Sequence, residues 1–361
     1  MNDKDMNKIK RRCILCISLF LLLLPAFFTG CAATGVNENP SEETMVEVDV
    51  ISPEEEVAPE LGKVIALQPV GVLSVDSGPK SVELMPGGDQ VFVNDLYAHK
   101  CFIFDAHDYI LLKVIPLPDE PVEASFTEGG RLAWVSQYNS LKVLVVDTET
   151  GDIVGEVPTG KTPKEVAVSP DEKWIYVANW DSNTVTVIDA GTRQVVKTLS
   201  MYGTPRGICF SPEGDYAYIC VMGGNTLAEV DIKNGHEVVR QLYCGQNPRH
   251  VVISPDGDTL YVSNNLPGTV TALDRESGAI TATIKVGNKA RTLAITPEGD
   301  HLFVCNYDDA TVSCVDPEAQ SEAFTIDAFR PIGLAVSAEG GHLFVCQYAP
   351  PQVIVYQIIR E

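Results

Sequence analysis

The sequence predicts an all-β fold, a seven-bladed β-propeller with four antiparallel strands per blade, and three observations carry that expectation. The first is a repeat with two markers in one phase. An Asp closing a Val-rich strand recurs at Asp105, Asp147, Asp189, Asp231, Asp274 and Asp316. A Pro keeps the same beat at Pro79, Pro121, Pro163, Pro205, Pro248 and Pro331, with Ala290 in the sixth slot. A fixed period of this length marks a repeat architecture rather than several unrelated domains.

The second observation is the content of each copy. In the third copy, Glu165-Val-Ala-Val-Ser169 alternates and Pro170-Asp171-Glu172 turns. Trp174-Ile-Tyr-Val-Ala178, Thr184-Val-Thr-Val-Ile-Asp189 and Gln194-Val-Val-Lys-Thr-Leu199 then follow as further β-branched runs. Short runs of this composition between turn residues read as antiparallel strands, and four in a repeat read as one propeller blade.

The third observation is that the ends are complementary. The last copy stops after its third strand, Val353-Ile-Val-Tyr356, whereas a spare strand, Val64 to Val75, precedes the first copy. The N-terminal strand is therefore expected to complete the last blade and close the ring, leaving no free interior edge.

Ile175-Tyr-Val-Ala-Asn179 followed by Asn183-Thr-Val-Thr-Val-Ile-Asp189 resembles the YVTN-type repeat of bacterial and archaeal β-propellers. Tyr261-Val-Ser-Asn264, Phe303-Val-Cys-Asn306 and the turns Ser254-Pro-Asp-Gly257 and Ser211-Pro-Glu-Gly214 repeat the pattern. The resemblance runs from about residue 64 to 361 and implies the fold. It leaves function open, because that family includes surface-layer proteins, exported lipoproteins and relatives of lactonase-type enzymes.

Ahead of the repeat lie two other segments. Basic residues Lys8, Lys10, Arg11 and Arg12 precede an apolar stretch from Cys13 to about Phe28, which suits the h-region of an export signal. Phe28-Thr-Gly-Cys31 resembles the lipobox of bacterial lipoproteins, which implies lipidation at Cys31 and a membrane-lipid partner through it. From there to Gly62 the chain has no Lys or Arg and nine carboxylates, a composition that favours an extended, self-repelling tether. The expected organisation is a signal peptide at 1–30, an acidic disordered tether at 31–62 and the propeller at 63–361. The expected location is extracytoplasmic, lipid-anchored at the cell surface or in the periplasm.

With 49 acidic against 26 basic residues the net charge is −23, which argues against a nucleic-acid partner. No phosphate-cradling glycine loop, haem-attachment motif or metal-ligand spacing stands out, so no cofactor and no metal are expected. A monomer is expected.

Against this acidity one slot is basic. One residue after the marker Pro, the copies carry Lys80, Val122, Lys164, Arg206, Arg249, Arg291 and Ile332. Lys164, Arg206, Arg249 and Arg291 thus ring the mouth of the central channel from consecutive blades, a focused potential suited to an anion. Pairing with Glu123 or Glu165 is the alternative. In the loop after the second strand, Asn179, Asn264 and Asn306 share one slot, and Tyr138, Trp180 and Tyr307 fall in the next. Amides beside aromatics on a rim suit ligand binding, with local loop capping or packing between blades as the competing use.

His250, beside Arg249, and Glu165 are the weak candidates for acid–base catalysis. Seven cysteines (Cys101, Cys209, Cys220, Cys244, Cys305, Cys314, Cys346) follow the first copy's start; Cys220, Cys305 and Cys346 occupy a slot that wants a small side chain. The functional expectation is a membrane-tethered binding or scaffold module, with a small anion or a protein or cell-wall partner held at the channel mouth. A lactonase-like hydrolase using Arg206, Arg249, His250 and Glu165, and a structural surface protein without a small ligand, are the alternatives.

Overall fold

The structure, a computed structural model, describes residues 62–361. The signal peptide, Cys31 and all but the last residue of the acidic tether lie outside the described residues. Among those described, 28 strands, β1 to β28 in chain order, form seven four-stranded antiparallel sheets. Six blades use consecutive strands, and the seventh is ordered β1-β28-β27-β26. β1 (Val64–Ser74) pairs with β28 (Pro351–Arg360) from Val64↔Arg360 to Ser74↔Gln352. The ring thus closes through its N-terminal strand, and the protein is a seven-bladed β-propeller.

The two sequence markers have separate physical roles. Each marker Asp ends the third strand of its blade, and its carboxylate accepts backbone N–H groups of the following turn. Asp105 takes those of His107 and Asp108, both at 2.8 Å, and Asp189, Asp274 and Asp316 each take one three residues on. This is the Asx-turn use of Asp, which fixes the turn into the fourth strand. The marker Pro lies at the start of the innermost strand, where a missing N–H costs least.

Those innermost strands are β2 (Pro79–Leu84), β6 (Pro121–Thr127), β10 (Pro163–Val168), β14 (Thr204–Phe210), β18 (Pro248–Ile253), β22 (Ala290–Ile295) and β26 (Pro331–Val336). Each packs on the next around the central channel, and β26 packs on β2. The core lies between blades: Tyr176 and Val187 of blade three meet Ile208 and Ile219 of blade four. At the closure, Leu73, Phe344 and Val355 meet Val82 and Phe104 of blade one. Burying each large side chain of this kind stabilises by about 1.5–3 kcal/mol.

Every innermost strand also carries a one-residue bulge directly after its marker position, for instance between Pro163 and Val166 and between Pro205 and Ile208. A bulge bends the strand and re-aims the side chains within it. All five cations of the basic slot fall in these bulges.

Candidate functional site

The mouth of the channel is a cavity of about 420 Å³. Its floor and walls carry Lys80, Lys164, Arg206, Arg249 and Arg291 from the bulges, and its rim carries Tyr97, Tyr138 and Trp180 from loops after second strands and Tyr348 from the end of one. Glu120 and Asp181 are the carboxylates at its edge. Backbone positions of two cations are fixed from the blade before: Ser136 donates to the Lys164 carbonyl at 2.7 Å and Ser263 to that of Arg291 at 2.5 Å.

The cations divide into two kinds. Arg206, 3% exposed, is an internal ion-pair partner. Its Nη1 donates to Glu165 of blade three at 2.7 Å and to Glu123 of blade two at 3.1 Å, while Nη2 also donates to Glu123. Only its Nε is left without a partner. The sequence placed Arg206 among ligand-binding residues; instead its charge is already compensated, because the channel is narrow enough for the guanidinium to reach across it.

Among the described residues none of the other four makes a hydrogen bond to a carboxylate, and only Lys80 has one within ion-pair range. Lys80 is 7% exposed, makes no hydrogen bond, and approaches Glu123 only to 3.8 Å. Lys164 lies 3.6 Å from the centroid of the Tyr138 ring and 5.8 Å from that of Trp180. Arg249 lies 5.9 Å from Trp180, and Arg291 lies 3.9 Å from Tyr307. A ring face attracts a cation without neutralising it. The aromatics therefore hold these side chains in place and leave their charge available.

The cost of that arrangement appears in their proton affinities. Burial first, then the Arg206 charge, pulls the Lys80 ammonium down to about 7. Burial, then Arg206 and Lys80, takes Lys164 to about 6. Burial and the charges of Arg206 and Arg291 likewise work against Arg249. Five cations share one small volume and feel each other.

Arg206 divides this cavity from a second one below it. Arg206 lines the upper space, whereas its partners Glu123 and Glu165 line a lower channel cavity of about 390 Å³ with Glu83, His250 and aliphatic side chains of later blades. Burial works against the Glu123 charge, but Arg206 outweighs it and holds that carboxyl well below the usual range. Burial and the Glu123 charge push Glu165 far up, so the two share a proton with Glu165 as its holder. Burial raises Glu83 to about 8.

The weak catalytic pair is placed in this lower cavity. His250 Nε2 stands 3.9 Å from Glu165 Oε1, its Nδ1 has no partner, and burial lowers it to about 4. Arg249 and His250 are adjacent in sequence but line different cavities, so they do not form one constellation.

The three asparagines are not ligand groups. Asn179, Asn264 and Asn306 are all 0% exposed. Their amide nitrogens donate to Thr184 and Thr186, to Thr269 and Thr271, and to Thr311 and Ser313 of the next strand in the same blade. In blade one Asp95 fills this slot and accepts the N–H groups of Asp76 and Ser77, both at 2.9 Å. In the three asparagine blades the slot ties the second strand to hydroxyls of the third, and in blade one it ties it to neighbouring backbone.

Lys80, Tyr97 and Tyr348 join the site without having been selected from sequence. Lys80 and Tyr348 were in the aligned slots, so the pattern already held them. Tyr97 sits one residue past the aromatic slot. It meets Tyr348 at 6.1 Å, and Tyr348 meets Tyr307 at 6.3 Å, completing an aromatic run along the rim.

The seven thiols are unpaired, and six of them are buried. No group of His, Cys, Asp or Glu among the described residues has a metal-binding arrangement. No helix among them is long and apolar enough to cross a membrane.

A family model described as YNCE-like beta-propeller matches residues 123–296, from the innermost strand of blade two into blade six. This supports a place among the β-propeller families. No curated protein matches the chain. Among solved structures it is similar to one titled Kuenenia stuttgartiensis Hydrazine Synthase, at 21% identity and a TM-score of 0.72, over 80% of this chain and 97% of that one. At that identity the likeness concerns the fold alone.

Proposed function

We propose that this propeller is a binding module that captures an anionic ligand, free or displayed on a partner, at the channel mouth formed by Lys80, Lys164, Arg249 and Arg291. One observation carries the reading: Lys80 is nine-tenths buried and makes no hydrogen bond, in a cavity where three further cations rest on ring faces instead of carboxylates. Buried charge that makes no hydrogen bond and reaches its nearest carboxylate only at 3.8 Å is costly, and a ligand of opposite sign relieves that cost. The sequence of the first 62 residues supports the rest of the proposal. The module is exported, lipidated at Cys31 and held off an outward-facing membrane surface by an acidic tether.

Thermal-shift titration of the purified protein against sulfate, citrate, acetate and chloride tests this. A ligand that binds only the folded state stabilises it by RT ln(1 + [L]/Kd), about 2.7 kcal/mol at a hundredfold excess over Kd. Saturable stabilisation by an anion, lost in Lys80→Met, is expected. Equal behaviour with all four salts, tracking ionic strength, would refute it.

A hydrolase at this mouth draws less support. The candidate base His250 and the candidate acid Glu165 lie below Arg206, and Glu165 is engaged with both Arg206 and Glu123. A purely structural surface role leaves Lys164, Arg249 and Arg291, clustered on ring faces without a carboxylate, without a reason.

A further inference from the structure

The anion reading leaves the charge of the ligand open, and the cavity constrains it. Arg206 is offset by Glu123, and burial pushes Glu165 and Glu83 well above the usual carboxylate range, so below about pH 7 the channel beneath contributes little negative charge to the mouth. Arg249 and Arg291 then carry charge to be matched in a space of about 420 Å³, with Lys80 and Lys164 beside them able to take up protons and Glu120 and Asp181 only at the edge. A monovalent anion would leave half of the arginine charge unmatched and give the lysines little reason to gain protons.

Resting on the anion reading above, we infer that the mouth takes a compact anion carrying at least two negative charges, a di- or tricarboxylate or an oxyanion such as sulfate, and takes up protons as it binds. The ring faces do not invite a stacked ligand. Tyr138, Trp180 and Tyr307 already carry Lys164, Arg249 and Arg291, so a flat aromatic ligand would have to displace those cations. The cavity therefore selects for charge density more than for apolar surface. Lys80 and Lys164 are the groups that gain protons. Lys80 faces Arg206, Arg249, Arg291 and the Glu123 carboxylate; Lys164 faces Arg206, Lys80, Arg249 and Glu123, with Tyr138 and Trp180 over it. Beyond burial, Arg206 and Arg249 press on both ammonium groups, and Arg291 presses on Lys80 as well. A multivalent anion reverses the local potential and restores their ordinary affinity for protons. Tyr348 and Tyr97 sit at the rim, and Tyr348 is held neutral by burial.

Calorimetry of the purified protein with citrate, sulfate and acetate, each at about pH 8 in two buffers of different ionisation enthalpy, separates the claims. Expected are citrate and sulfate binding at least about tenfold tighter than acetate, an apparent enthalpy that depends on the buffer, and net uptake of between one and two protons. Lys80→Met should lower that uptake by about one proton. Tight binding of citrate with no proton uptake, or acetate binding as well as citrate, would overturn this inference while leaving an anion site standing. Absence of binding by all three would overturn the anion site itself. Lys164→Met provides a second reading of the proton count should Lys80→Met fold poorly.

Discussion

Arg206 and Glu165, on the innermost strands of neighbouring blades, are joined at 2.7 Å, and the same guanidinium extends to Glu123 one blade further on. This chord across the channel decides the character of everything above it. By taking the carboxylates' hydrogen bonds for itself, Arg206 leaves Lys80 only a 3.8 Å ion pair to Glu123 and leaves Lys164, Arg249 and Arg291 without a carboxylate partner among the described residues.

Removing Arg206 should therefore unfold the protein's centre more than any other change at the site. Arg206→Met leaves Glu123 buried without its strongest partner, and breaking a buried pair of this kind costs about 3–5 kcal/mol. Urea denaturation should show that loss, and Arg206→Met with Glu123→Gln should recover much of it. A loss below about 1 kcal/mol would mean the chord is not structural.

Lys80 should behave in the opposite way. Lys80→Met removes a buried cation that makes no hydrogen bond and has only a 3.8 Å ion pair to Glu123, so the ligand-free protein should gain about 1–2 kcal/mol while losing anion affinity. The same sign applies to Lys164→Met, with a pH signature. The folded-state affinities of about 7 and about 6 lie below the ordinary lysine value of 10.5. The unfolded chain thus binds more protons between them, and the penalty is full at low pH and fades as pH rises. The gain of Lys164→Met over the native protein should be largest below about pH 6 and vanish near 10.5. A gain independent of pH would contradict the assignment.

The asparagine slot offers a control. Asn179→Ala removes donations to Thr184 and Thr186, which should cost about 1–3 kcal/mol of stability. Anion affinity should stay unchanged in the folded variant. A selective loss of affinity with unchanged denaturation midpoint would return Asn179 to the binding surface.

The buried cysteines predict alkaline sensitivity. Burial raises Cys101, Cys209, Cys220, Cys244, Cys305, Cys314 and Cys346 above the usual thiol value of 9.0. Each contributes stability that is complete below that value and is lost as pH rises past it, because the unfolded chain sheds the proton first. The melting temperature should fall above about pH 9 and fall less in Cys220→Ala with Cys346→Ala, whose slot already accepts Ala178 in blade three. An alkaline limb unchanged by those substitutions would assign the loss to other groups.

The fold was legible because its determinants are local. A marker Asp caps its own turn, a marker Pro starts its own strand, and the missing fourth strand of blade seven has one place to come from. The site was legible only in part. Position in the repeat located the cations and aromatics on one face, but it could not distinguish Arg206, which reaches across to Glu123, from Arg249, which rests on Trp180. That difference depends on contacts between blades more than forty residues apart, which no pattern within one repeat encodes. Asn179, Asn264 and Asn306 misled for the converse reason: their partners lie in the next strand, where the Thr and Ser residues looked like ordinary β-formers.

The most direct measurement is a crystal structure of the protein soaked with selenate, a compact dianion that anomalous scattering locates unambiguously. The account predicts selenium density in the channel mouth, within hydrogen-bonding distance of Lys80 and of at least one of Lys164, Arg249 and Arg291. Selenate bound elsewhere with that mouth empty of anion would contradict it.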